Sequence, residues 1–511
     1  MNRHFKKFMP KLLLLAPILF SLLSCSKDAD LLSDYVINKK DDISGVYSLL
    51  VNDTYFSDMK SSILLDVLNN DTFENFNNVT VVATTTPELG TVVINENNTL
   101  TYTPPTPPVV NETIATTSET QEEVVDTFVY TVEETSAAGD ITTAEATVTV
   151  KIITVSEDVE YWKLKFDNQF STGGDRAKMM ALSKSGNKFQ EYYYMYYYFD
   201  GLLSIWQATG DNKYLDIMLE VVNNTIKDAQ PVSFNSTYLG WPSDSSYGLD
   251  YPKNGVALWE SYYWKDVTTL LRIMYQSPNL LSNSFGAKTY QDEYEKLLAF
   301  TEKNIWEKWE TKGSSNIYRT HTHMASHWAR MGMELYLITG KNKYKTVFEN
   351  ISHGNMPNVP SNLRDRIREN TNVPGAYVWD MPFDVPPGSK VQDTSHAADI
   401  IGFWILAHEN EMYWTMSDME ALVLTLDKVI FPANDGPRPY LNVDGTGGFD
   451  APGRLRGWLK LGRYNKDLQN KLINEYQSDL QNSNRYAILN LGVFALNERI
   501  LADGYPVYPE N

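Results

Sequence analysis

The chain has 511 residues, 64 acidic against 44 basic side chains and a formal charge of −20. That length exceeds one small domain and implies two or three. The charge argues against nucleic acid, which needs a basic footprint, and any anionic ligand must be met by a local cationic cleft.

The first element is a leader. Arg3, Lys6, Lys7 and Lys11 surround the start of an apolar run that stops at Leu22-Leu23-Ser24-Cys25. The run is too short, and too soon followed by polar residues, to span a membrane. It reads as a secretion signal over residues 1–24. Cys25 is the one cysteine, so no internal disulfide forms. Leu-Ser-Cys resembles the lipobox of bacterial lipoproteins. The resemblance implies cleavage before Cys25 and lipidation of its thiol, with a linker over 25–49. The acidic stretch SKDAD resembles the export tags of Bacteroidetes surface lipoproteins. An outer-membrane location is therefore expected, with the membrane touched through the lipid alone.

Residues 50–155 read as strands. NVTVVATT, GTVVINENNTLTYTPP, DTFVYTVEE and TAEATVTVKI are rich in Val, Thr and Ile, alternate with period two, and are broken by Asn, Gly and Pro. In this order, with LDVLNNDT before them, they resemble the bacterial cadherin-like or Ig-like domain. That implies an all-β sandwich with a long insert at TPPVVNETIATTSETQEE. No His, Arg or Cys suggests chemistry there, so the domain reads as a spacer or an accessory binding module.

Residues 156–511 read as helices. DGLLSIWQATGDNKYLDIMLEVV and ARMGMELYLITGKNKYKTVFENI each place apolar residues at helical spacing, break at Thr-Gly, and resume. Both carry T-G-x-N-K-Y, at Thr209–Tyr214 and Thr339–Tyr344, with Gly210 and Gly340 placed as C-caps. Repeated helical hairpins imply stacked like units. This half resembles an (α/α) toroid, in which paired helices form inner and outer rings and loops at one end of the inner ring carry function.

Three of the chain's seven histidines fall in YRTHTHMASHWAR, residues 318–330. A helix runs from about His323 to Gly340, so His323 and His327 share a face, while Arg319 and His321 sit at its start. Zinc is one alternative for three imidazoles, but no Glu or Asp lies between Tyr318 and Arg330. His327, beside Trp328, also fits as a hydrogen-bonded core residue. A second cluster comes next in the chain. Tyr377, Trp379 and Asp380 precede Asp393-Thr394-Ser395, an N-cap signal, and then His396 and Asp399. Glu260 lies among Trp259, Tyr262, Tyr263 and Trp264, where desolvation raises a carboxyl pKa. Arg438, Arg454 and Arg456 flank a glycine-rich loop.

Glycoside hydrolysis needs two carboxylates flanking one bond. Uronate β-elimination needs a cation or donor to neutralise the sugar carboxylate, a base, and an acid for the leaving oxygen. His321, Arg330 and Tyr377 are the right types for the second. The order of histidine-rich helix start, Tyr–Trp loop and DTSHAAD resembles toroid polysaccharide lyases of the alginate and glucuronan kind. The resemblance implies a lyase acting on an alginate-, glucuronan- or ulvan-type anionic polysaccharide. It implies Tyr377 as acid/base, and a histidine from His321, His323 and His327, with Arg330, as neutraliser or base. Arg319, His396, Trp379, Glu260, Trp264 and Asp399 are then expected to bind substrate. No cofactor is implied, and a structural divalent cation stays open. The alternatives are a toroid glycoside hydrolase, with acids drawn from Glu260, Asp380, Asp393 and Asp399, and a glycan-binding lipoprotein without catalysis.

Overall fold

The computed structural model describes residues 49–58, 62–73, 75–105, 124–153, 155–172, 174–185, 188–241, 255–281, 283–286, 288–432, 438–449, 455–476 and 485–510. The leader, Cys25, nearly all of the linker, the insert 106–123 and Arg454 lie outside them. Among the described residues no helix is long and apolar enough to cross a membrane.

The first part is built from β1 (Asp53–Asp58), β2 (Ile63–Leu65), β3 (Val79–Thr84), β4 (Thr91–Ile94), β5 (Leu100–Thr103), β6 (Val124–Thr135) and β7 (Ile141–Ile153). Side chains of β6 and β7 alternate between core and surface, as strands with one face on a core must. One sheet runs β1-β7-β6-β3 and the other β2-β5-β4. β1 lies parallel to β7, Asp53 opposite Val148. The two sheets share a core that includes Tyr55, Leu65, Leu100, Tyr102, Phe128 and Tyr130.

The second part is helical. Its main helices are α1 (Glu157–Asp167), α2 (Lys188–Thr209), α3 (Lys213–Lys227), α4 (Ala257–Tyr275), α5 (Tyr290–Phe300) and α6 (Thr322–Thr339). They continue with α7 (Asn342–Ser352), α8 (Thr394–Glu409), α9 (Met416–Leu424), α10 (Lys466–Tyr476) and α11 (Arg485–Asp503). A 3₁₀ helix, Arg456–Tyr464, lies between α9 and α10. Among the described residues α2, α4, α6, α8, the 3₁₀ helix and α11 each pack on the next, and α11 returns to α2, closing a ring of six. The remaining helices pack against its outside. This alternation of inner and outer elements is an (α/α) toroid.

The ring closes through small residues. A Cβ on Gly492 of α11 would stand 2.3 Å from the Gly201 carbonyl oxygen of α2. One on Gly457 would stand 2.0 Å from the Ala398 oxygen of α8. Each inner helix is therefore surrounded. α4 buries nearly every side chain from Ala257 to Met274, which leaves its polar residues facing the ring axis or a partner helix.

The T-G-x-N-K-Y hairpins share the same helix stop and the same tyrosine anchor. Gly210 and Gly340 are left-handed, φ 69° and 67°, and their amides donate to Trp206 O and Tyr336 O. Tyr214 and Tyr344 then donate to Asp167 and Glu302 on neighbouring outer elements. These tight turns lie at the C-terminal end of the inner ring. The same end meets the β part, where the Tyr508 ring packs on Trp206 at 4.8 Å and on Phe56 of β1 at 5.6 Å. The N-terminal end is entered through the longer segments 313–321 and 353–393, and His321, His323, His327 and His396 lie there.

Candidate functional site

The lip of the N-terminal mouth is made by the starts of α6 and α8. His321 is the N-cap of α6. It is fixed by a bridge to Pro382 and by Thr322, whose hydroxyl is 2.9 Å from Met381 O and 2.8 Å from Gln392 Oε1. Asp393 caps α8, accepting the His396 amide at 3.0 Å and holding His396 Nδ1 at 2.8 Å. The His396 side chain is 47% exposed. Its ring lies 4.5 Å from that of buried His323, which lies 5.9 Å from that of His321. Three of the expected histidines, His321, His323 and His396, thus come together. Tyr193 of α2 and Trp259 and Tyr262 of α4 pack edge and face against one another beside them, at 5.4–5.9 Å.

The floor is buried. His327 Nδ1 is 3.0 Å from Ser261 Oγ, and its Nε2 is 3.7 Å from Asp399 Oδ2. The Tyr262 ring lies 4.4 Å from His327. His323 Nδ1, His327 Nε2 and Asp399 Oδ2 are buried with no protein hydrogen-bond partner. Behind them runs a column of charge. Lys265 lies 3.9 Å from Asp399 and 2.9 Å from Asp266. Arg330 lies 2.7 Å from Asp266 and donates to Thr269 at 2.8 Å. Thr269 donates to Glu334, which also holds Arg272. Arg456 meets the Tyr196 and Tyr197 hydroxyls and Ser395.

Protonation follows from this packing. Burial pulls the His323 imidazole well down, and the charges of His396 and His327 pull it further. Burial also lowers His327, against the pull of Asp399, and lowers His321, helped by Lys390. Burial alone pushes Asp399 up, but His327, Lys265 and Arg456 outweigh it and hold the carboxyl well below its usual range. His396 does the same, less strongly, for Asp393. Burial keeps the Tyr196 and Tyr262 phenols protonated. The floor of the mouth therefore offers neutral imidazoles at His323 and His327, an ionised Asp399 and phenolic donors. Among the described residues no group of three or more His, Cys, Asp or Glu is arranged to hold a metal ion.

Several expected site residues lie elsewhere. Tyr377 does not join the histidines. It sits in a two-residue strand paired with Arg368–Glu369, and its hydroxyl donates to Asp418 of outer helix α9 at 2.8 Å. Trp379 is core, packed on Trp404 and Trp458, and Trp264 is core against Phe300. Burial raises the Glu260 carboxyl, as its aromatic setting implies. Yet it is closed off by Lys308 at 2.8 Å and Trp309 at 2.7 Å. Asp380 is clamped by Arg366 and Arg368. Arg330 is committed to Asp266, below the floor. Arg319 and Asp399 do lie at the mouth. Ser261, Tyr262, Lys265 and Asp266 of α4 join the site without having been expected there. Their signal is a polar stripe, Ser261, Lys265 and Thr269, at helical spacing on an apolar helix.

No family model and no curated protein matches this chain. Among solved structures, an inactive variant of the α-1,6-mannanase GH76A of Salegentibacter sp. HEL1_6, in complex with α-1,6-mannotriose, is similar at 11% identity. The match covers 67% of this chain and 99% of that one, with a TM-score of 0.34. A family 76 glycoside hydrolase from a bovine Bacteroides thetaiotaomicron strain is similar at 10% identity, over 75% and 85%, with a TM-score of 0.31. Likeness at these scores fixes neither the fold nor the reaction of this chain.

Proposed function

We propose that the helical part cleaves glycosidic bonds of a polysaccharide at the mouth of the ring, by hydrolysis. The carrying observation is two carboxylate–imidazole couples, Asp393–His396 at the lip and Asp399–His327 at the floor, with His323 between them. Hydrolysis needs a proton donor on one side of the bond and a carboxylate on the other. The exposed lip couple can hand a proton to a leaving oxygen. Asp399, held ionised, can serve as base or stabilise developing positive charge. The wall of Tyr193, Trp259 and Tyr262 suits the flat face of a sugar ring. Uronate β-elimination has less support, because Tyr377 is bound on the outer layer and the phenols at the mouth are held protonated. The leader and Cys25 support the further reading that the activity is tethered by lipid at the cell surface, with the β part as spacer.

The test is to incubate the purified chain with mannan, xylan, alginate, glucuronan, ulvan and pectin. Reducing ends and the ultraviolet absorbance of unsaturated products are followed together. The expected result is reducing ends without unsaturation, with Asp399→Asn and His396→Ala each lowering kcat/KM by about 100-fold or more. Cleavage of none of these glycans, an unsaturated product, or an active Asp399→Asn variant overturns the reading.

A further inference from the structure

We infer that the lip carries a subsite for an anionic group on the substrate, a carboxylate or a sulfate, centred on Arg319. The inference rests on reading the mouth as the glycan site. Removing a charge from water is costly, so charges that lose solvent are paired as a rule. Six arginines of the helical part follow it, while buried Arg456 is met instead by the Tyr196 and Tyr197 hydroxyls and Ser395. Arg272, Arg330, Arg364, Arg366, Arg368 and Arg463 each lie within ion-pair distance of a carboxylate.

Arg319 departs from it. Its side chain is half-buried, its Nη2 reaches the Met324 sulfur at 4.0 Å, and among the described residues no carboxylate lies within ion-pair distance of it. Burial lowers the guanidinium's proton affinity, and no acid offsets that effect. Lys390 stands near Arg319 as a second cation acting on His321, with the carboxylates of Asp384 and of Asp393 at the same lip. A half-desolvated guanidinium without a counter-ion is completed by an anion from outside. The planar fork of Arg319 matches the paired oxygens of a carboxylate or sulfate.

The experiment measures binding rather than turnover. The purified chain is titrated by calorimetry with oligogalacturonate, its carboxyl-reduced counterpart, a sulfated galactan oligosaccharide and its desulfated counterpart, at low and high salt. The expected result is that one charged oligosaccharide binds about tenfold or more tighter than its neutral counterpart. Arg319→Gln removes that preference, Arg319→Lys keeps part of it, and high salt weakens it. Which charged probe binds separates carboxylate from sulfate. Equal binding of charged and neutral probes, no binding of either charged probe, or an intact preference in Arg319→Gln overturns the inference. Should Arg319→Gln fail to fold, Arg319→Lys and the salt titration decide. A preference that both leave unchanged also overturns it. Tight anionic binding without any cleavage would instead sink the hydrolase reading and leave this one standing.

Discussion

At the C-terminal end of the inner ring, Gly210 and Gly340 stop α2 and α6 in a left-handed turn and send the chain straight into an outer helix. At the N-terminal end, the chain reaches His321 and Asp393 through long segments, and its titratable groups meet across helices. One end is held by rules that act within six residues. The other depends on helices far apart in sequence being brought together by ring closure. The contrast teaches where substitutions should be tolerated and where they should not.

The largest effect is expected beneath the mouth. Asp266→Asn leaves Lys265 and Arg330 buried beside an uncharged partner. That should cost about 3–5 kcal/mol of stability in denaturant unfolding. A loss below about 1 kcal/mol would show that the column is not a coupled unit.

Acid should act on the same end. His323 and His327 have folded pKa values lowered by burial, whereas unfolded histidine titrates near 6.5. Below about pH 6.5 the unfolded chain binds more protons, so stability falls as pH drops toward the folded values. The depressed Asp393 and Asp399 act in the same direction, but only below about pH 4. Unfolding measured at pH 7 and pH 5 should differ by about 1–2 kcal/mol, and His323→Gln should flatten the slope. A pH-independent midpoint would contradict neutral burial.

Smaller effects are expected at the other end and on the outer layer. Gly340→Ala meets no neighbour within 4 Å, so it should lose only the left-handed penalty of about 1 kcal/mol, with activity unchanged. A fall in kcat would join the two ends. Tyr377→Phe removes one half-exposed hydrogen bond to Asp418. It should shift stability by less than about 1 kcal/mol and leave turnover untouched. Lost turnover would return Tyr377 to the chemistry.

Local features are legible in the sequence. The repeated T-G-x-N-K-Y turn, the helix start at His321–His323 and the Asp393 cap all depend on near neighbours, and all are seen. Tyr377 misleads because its closeness in sequence to Trp379 and Asp393 stands in for closeness in space. The short strand pair turns its phenol to α9 instead. Trp379 and Trp264 look functional by company and prove to be core. The Lys265–Asp266 pair is easily passed over because two charges in a helix normally face solvent. Only a closed ring makes that face internal.

The contact of Gly201 with Gly492, and the hydrogen bond from Gln207 to Tyr508 across 301 positions, bear on how the chain is made. The first inner helix waits for the last before its apolar sides are covered. Synthesis therefore runs almost to completion with one side of α2 open to wrong partners, a long-range topology that folds slowly and invites aggregation. Chaperone demand during translation, rather than instability of the finished protein, is the liability this closure builds in.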